Sequence, residues 1–259
     1  MQSAECLVLG TGTSTGIPTI GCDCTTCQSD DIRDKRLRCS ILIRTDSTSV
    51  LIDTTPDFRQ QMLKFEIRKL DAVLFTHQHY DHIGGFDDLR PFNYLMKKPI
   101  PIFSNDITYE HLLKVFEYAF IPPEQIGGGV PEIINHIVKD ESFNIGDLNI
   151  LPLKLYHGKM EVLGFRIGNF AYCTDTNNIP ESTIEKMYGL DYLIIDALRY
   201  HEHSTHFCLK ESLEIIDKLN PKQAYLTHIA HQIKHSECDS ILPENVRVCF
   251  DGLKFCFNT

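Results

Sequence analysis

His77-Gln78-His79-Tyr80-Asp81-His82, running directly into Ile83-Gly84-Gly85, concentrates more chemistry than any other part of the chain. It follows the apolar run Ala72-Val73-Leu74-Phe75, which reads as a strand. Four potential metal ligands therefore fall within six residues at a strand end. Residues two apart in an extended segment point the same way, so His77 and His79 can reach one metal. A turn at Asp81-His82 can then present a carboxylate and an imidazole to a second. Gly84 and Gly85 let the backbone bend close to such a site. Solvated or core-satisfied histidines are the plainer reading, and three imidazoles with a carboxylate at one strand end weigh against it.

Outward from that stretch, short β-rich runs alternate with turns. Cys6-Leu7-Val8-Leu9, Ser40-Ile41-Leu42-Ile43 and Val50-Leu51-Ile52 precede it. Residues 149–155 and 163–167, Ala171-Tyr172-Cys173, Tyr192-Leu193-Ile194-Ile195 and Ala224-Tyr225-Leu226 follow. Apolar residues recur at helical spacing over 58–65, 108–120, 179–188 and 209–219. The pattern implies two β-rich halves covered by helices, without a tandem repeat or a low-complexity segment. Gly127-Gly128-Gly129-Val130-Pro131 reads as a flexible loop. The glycine-rich residues 10–16 run into Ile17-Pro18 rather than into an amphipathic helix, so they are expected to shape a turn under the site, not to cradle a nucleotide.

At 259 residues, 42 % of them hydrophobic and 23 % charged, residues 1–259 are expected to form one globular domain. The N-terminus lacks a basic and apolar leader, and no run reaches membrane-spanning length, so the expected location is cytoplasmic. A net charge of −10 disfavours a nucleic-acid partner held by phosphate neutralisation. Three of the ten cysteines crowd into Cys22-x-Cys24-x-x-Cys27, which reads as metal ligation in a reducing compartment.

The HxHxDH signature resembles that of the metallo-β-lactamase superfamily. The resemblance implies an α/β fold, a four-layer αββα sandwich, with ligands on loops at one edge of two sheets. It implies that His157 completes a first metal site beside His77 and His79, that Asp175 bridges the metals, and that His228 completes a second site beside Asp81 and His82. Asp81 is thereby counted with the catalytic groups as well as the ligands. Asp53, at another strand end, resembles a position that orients a metal-binding histidine.

A closed structural zinc site needs a fourth ligand beyond Cys22, Cys24 and Cys27. His231 is the first candidate, three residues past His228, with His235 and Cys238 as substitutes. This combination resembles the PhnP-like phosphodiesterases. The implied cofactors are two divalent metals, zinc, manganese or iron, and one structural zinc; the implied substrate is a small, cyclic or open phosphodiester. His206, ahead of the helical 209–219 segment, takes the implied role of proton donor to the leaving group, with His201 and His203 as rivals. A tRNase Z-like endonuclease and a cofactor-biosynthesis or ligand-binding protein resembling pyrroloquinoline quinone biosynthesis protein B are the alternatives. A homodimer is an open alternative to a monomer, and no membrane partner is expected.

Overall fold

The computed structural model describes residues 3–121 and 129–259. Aliphatic runs become strands here because alternate side chains can be buried on opposite faces. The first series is β1 (Ser3–Gly10), β2 (Ser40–Arg44), β3 (Ser49–Ile52), β4 (Ala72–Leu74), β5 (Ile100–Ser104) and β6 (Ile133–Ile137). The second is β7 (Phe143–Ile145), β8 (Leu148–His157), β9 (Met160–Ile167), β10 (Phe170–Cys173), β11 (Tyr192–Asp196), β12 (Gln223–Thr227) and β13 (Val246–Val248). A last strand, β14 (Lys254–Asn258), returns to pair with β1.

The strand orders are β14-β1-β2-β3-β4-β5-β6 and β13-β12-β11-β10-β9-β8-β7. In chain order each sheet begins antiparallel and turns parallel, after β3 in the first and after β10 in the second. Cys6, Val8, Ile41, Ile43, Val50 and Ile52 face the other sheet and pack with Leu148, Ile150, Phe165 and Tyr172. Their neighbours Leu7, Leu9, Leu42 and Leu51 face outward onto a helical layer.

That layer holds α1 (Phe58–Lys64), α2 (Tyr80–Ile83), α3 (Arg90–Met96), α4 (Asp106–Val115) and α5 (Glu117–Phe120); the opposite layer holds α6 (Glu181–Glu185), α7 (Leu209–Leu219) and, beyond it, α8 (His235–Asp239). Helix α7 shows why such a segment folds where it does. Its start is capped by the Glu211 carboxylate accepting from the Cys208 N–H at 2.8 Å, and Asn220 ends it in a left-handed conformation. Leu209, Ser212, Ile216 and Leu219 form its buried stripe, and Ser212 donates to the carbonyl of Asp196 at 2.6 Å, tying the helix to β11. The αββα sandwich expected from the signature is the architecture of the chain.

Some elements differ from the sequence expectations. The periodic segment 108–120 breaks at Phe116 into α4 and α5, because the Phe116 ring turns in to stack on Phe86 at 4.8 Å. Of 179–188 only Glu181–Glu185 is helical, starting after Pro180 and running out before Gly189, whose φ is +78°. Strands β5, β6, β7, β13 and β14 carry no clear sequence signal: β5 contains Pro101, and β7 and β13 are three residues long. Gly127 and Gly128 of the glycine-rich stretch lie outside the described residues. Among the described residues no helix is long and apolar enough to cross a membrane.

Gly85 closes the signature segment against α1. A Cβ there would lie 2.3 Å from the Thr55 carbonyl oxygen and 2.4 Å from Phe58 Cβ. Gly85→Ala is therefore expected to cost about 1–3 kcal/mol, read as a lower urea midpoint at unchanged slope. An unchanged midpoint would show that the segment yields freely.

Candidate active site

The C-terminal ends of β4, β8, β10, β11 and β12 meet at one edge of the sandwich, where sheets with parallel strands commonly bind ligands. His77 and His79 lie just past β4, and α2 carries Asp81 and His82. His157 is the last residue of β8, Asp175 follows β10, and His228 follows β12.

The structure brings these residues into two groups that share Asp175. One ligand atom each from His77, His79, His157 and Asp175 lie within 4.8 Å of one another, as do those of Asp81, His82, Asp175 and His228. His82 Nε2 is 3.2 Å from both Asp81 Oδ2 and Asp175 Oδ1, and His228 Nε2 is 3.2 Å from Asp175 Oδ2. His77 Nε2 lies 3.8 Å from that same Asp175 oxygen.

Divalent cations fit this arrangement on two counts. The Nε2 atoms of His77, His82 and His228 are buried yet make no hydrogen bond, a costly state unless something beyond the protein satisfies them. The donor chemistry, five imidazoles and two carboxylates, is also that of zinc, manganese and iron sites.

Further partners fix which nitrogen faces inward. His82 Nδ1 donates to Asp53 Oδ2 at 2.7 Å, and Thr76 donates to Asp53 through both its N–H and its hydroxyl at 2.8 Å. With the Thr76 proton committed to Asp53, its oxygen can accept from His77 Nδ1 at 3.0 Å. His157 Nδ1 donates to the Thr205 carbonyl at 2.6 Å. Asp53, Asp175 and His228 all adopt left-handed backbone conformations, with φ of 66°, 50° and 57°. Such non-glycine residues carry strain that surrounding contacts must hold in place.

Electrostatics divides the imidazoles. Burial, and then the charge on neighbouring His82, hold the His77 pKa well below its usual value, and burial also lowers His79 and His157. Burial opposes a charge on His82 too, but Asp175, Asp81 and Asp53 outweigh it and raise that pKa well above normal. Neutral imidazole is the metal-binding form, so a cation here would displace the His82 proton.

His206 lies against both groups. Its ring is 4.5 Å from that of His157 and stacks on that of His228 at 4.6 Å. His206 Nδ1 donates to Asp196 Oδ2 at 2.7 Å, and Thr176 N–H reaches the same oxygen at 2.8 Å. Burial disfavours the imidazolium, and the Asp196 carboxylate outweighs it, pushing the pKa up to about 9. Bound cations beside it would act in the opposite direction. His203 stands farther out, accepting from Thr205 N–H at 3.3 Å, and His201 is exposed.

Cys22, Cys24 and Cys27 gather around His231, whose Nδ1 lies 3.1, 3.6 and 3.8 Å from their sulfurs. The substitutes do not join them: among the described residues this group holds neither His235 nor Cys238. The Cys27 N–H and the Cys22 thiol help lower the Cys24 pKa to about 7, while burial raises Cys27 to about 11. The glycine-rich turn lies alongside, Thr13 N–H donating to the carbonyl of Ile229, the residue after His228, at 3.1 Å.

The profile of the β-lactamase superfamily domain matches residues 48–229. The chain belongs to that superfamily. The crystal structure of a new diphosphatase from the PhnP family superposes with a TM-score of 0.92 at 42 % identity, over 98 % of this chain and 97 % of that one, which places the chain in the PhnP family. The zinc-bound PqqB of Methylobacterium extorquens shares the fold, with a TM-score of 0.79 at 18 % identity over 97 % of this chain and 99 % of that one. A Porphyromonas gingivalis protein named octanoyltransferase is 36 % identical over 253 residues, 96 % of this chain. The chain spans about half, 51 %, of that relative's length.

In this PhnP-family chain one site residue, Asp196, escaped sequence reasoning: it ends the apolar run 192–195 as Asp53 ends 51–52, so a strand-end acid was the available signal. The orienting role of Asp53 gives a direct test. Asn tolerates the left-handed backbone, but its single acceptor oxygen cannot serve three donors. Asp53→Asn is expected to weaken metal binding about 10- to 100-fold, measured by competition with a chromogenic chelator. Unchanged affinity would remove Asp53 from the site.

Proposed function

We propose that residues 1–259 act as one metallo-hydrolase domain that cleaves a small phosphodiester-type substrate, with His77, His79, His157 and Asp175 holding one divalent metal and Asp81, His82, Asp175 and His228 a second. The observation that carries this reading is the sharing of Asp175 by two donor groups with His206 packed against both. Metals bound there would supply positive charge for the phosphoryl oxygens and acidify the attacking water. The protein's own work is orientation and proton transfer. Asp53, Thr76 and Thr205 keep the ligand rings turned inward. Asp196 holds the Nδ1 proton of His206, which leaves Nε2 to deliver a proton to the departing oxygen.

Zinc at Cys22, Cys24, Cys27 and His231 would join the N-terminal loop to the segment three residues past His228. All ten cysteines are free thiols, which supports a reducing, cytoplasmic setting. The net charge of −10 favours a small substrate over tRNA.

Hydrolysis of bis(p-nitrophenyl) phosphate and of a 2′,3′-cyclic nucleotide is expected, lost on chelation and restored by zinc or manganese. His206→Ala should retain its metals and lose about 10²- to 10⁴-fold in kcat on the cyclic nucleotide, whose alkoxide needs a proton, but far less on the nitrophenyl ester. Equal losses on both would move the proton donor elsewhere, and no turnover of either substrate would overturn the substrate class. Elemental analysis should approach three metals per chain. Cys24→Ser should lose one zinc together with thermal stability, and a stable variant of unchanged zinc content would dismiss the cysteine site.

A further inference from the structure

We propose that Asn177 is a positioning residue that sets His206 against the metal-binding edge by clamping the 199–206 loop to the turn after His157. The inference rests on the reading of His206 as proton donor. Residues 199–206 form neither strand nor helix, so their placement depends on individual side-chain bonds. Arg199 holds the first half, donating to the carbonyls of His201 at 3.1 Å and Glu202 at 2.7 Å.

Asn177 holds the second half, and it uses both ends of its amide to do so. Its Oδ1 accepts from Gly158 N–H at 2.8 Å, and its Nδ2 donates to the Ser204 carbonyl at 3.1 Å. The next peptide unit carries the bond from His157 Nδ1 to the Thr205 carbonyl. Two consecutive carbonyls ahead of His206 are thereby tied to the end of β8. The approach is close: Gly158 has φ +65°, and a Cβ there would lie 3.0 Å from Thr205 Cγ2.

The backbone at Asn177 is itself fixed. Its N–H donates to the Tyr156 carbonyl at 3.0 Å, and Phe207 N–H donates to the Thr176 carbonyl at 2.7 Å. The clamp therefore has a rigid base two residues past Asp175. The amide donates to one partner and accepts from the other through separate atoms, whereas an ionised carboxylate can only accept. The half-buried Asn177 makes no hydrogen bond to a proposed ligand side chain and reaches the site through the 199–206 loop and the turn after His157.

The test uses the metal-loaded full chain. Asn177→Ala is expected to keep its metals, to speed amide exchange across 199–207, and to lower kcat on the 2′,3′-cyclic nucleotide about 10- to 100-fold, with KM and the nitrophenyl ester changed by less than ~3-fold. Asn177→Asp, which keeps the acceptor and loses the donor, should share the loss and serves if the alanine variant is unstable. The double variant Asn177→Ala/His206→Ala should be no slower than His206→Ala alone. Additive losses, or unchanged exchange, would overturn the assignment. A His206→Ala enzyme showing the leaving-group contrast while Asn177→Ala does not would overturn Asn177 alone. Equal His206→Ala losses on both substrates would overturn the donor reading and this one with it.

Discussion

The buried carboxylate of Asp175 governs the site edge. Its carboxylate belongs to both ligand groups, at a strand end where the backbone is left-handed. Burial pushes a carboxyl toward neutrality, yet the His228 and His82 imidazoles outweigh it and hold Asp175 ionised. The opposite charge has to come from somewhere. In the protein alone part of it is the proton on His82, wedged among Asp175, Asp81 and Asp53. Divalent cations can replace that proton with more charge and better geometry, because the imidazole nitrogens at hand already lack partners. A cluster that is poorly satisfied as plain protein is thereby well suited to metal.

Each ligand ring also needs its other nitrogen occupied, and here the fold contributes most. Asp53 sits at the end of β3 and Thr76 just past β4, adjacent parallel strands, so sheet register alone places the carboxylate beneath His77 and His82. Asp196 ends β11, next to β10 and Asp175, and the Thr176 N–H meets it there. Both sheets thus place an acid at a strand end beneath an imidazole of the site. Left-handed backbone at Asp53, Asp175 and His228 costs on the order of 1–3 kcal/mol each, which such bonds and bound metal can offset.

What could be read from the chain follows from what is local. The signature segment, the later histidines and the cysteine cluster are dense runs of unusual chemistry, and every proposed ligand is brought into a group by the structure. Aliphatic runs interleaved with helical periods implied two β-rich halves covered by helices, and the αββα layering came from the resemblance carried by the signature segment. Asp196 and Asn177 were missed because their work is done on partners far along the chain or on backbone atoms, which no spacing records. Helix 108–120 was misread for a related reason: its periodicity is sound, but stacking of Phe116 on Phe86 decides where it breaks.

The long connection between β1 and β2, residues 11–39, contains one short 3₁₀ turn and little sheet pairing, so it needs ties of another kind. Arg36 is fully buried within it, donating to the Cys249 carbonyl at 3.1 Å and pairing with Asp34 at 3.4 Å. Asp34 in turn accepts from His235 N–H at 2.8 Å. Asp251 accepts from Thr11 and from Leu37 N–H, both at 2.8 Å. Apart from the Arg36–Asp34 pair, these bonds run to the C-terminal quarter of the chain, and so does the approach of the cysteines to His231. A buried arginine would be costly if left alone, and a three-cysteine loop has little apolar surface to bury. Together they fasten the loop to the segment that carries His228, where an error in placement would be felt at the ligands.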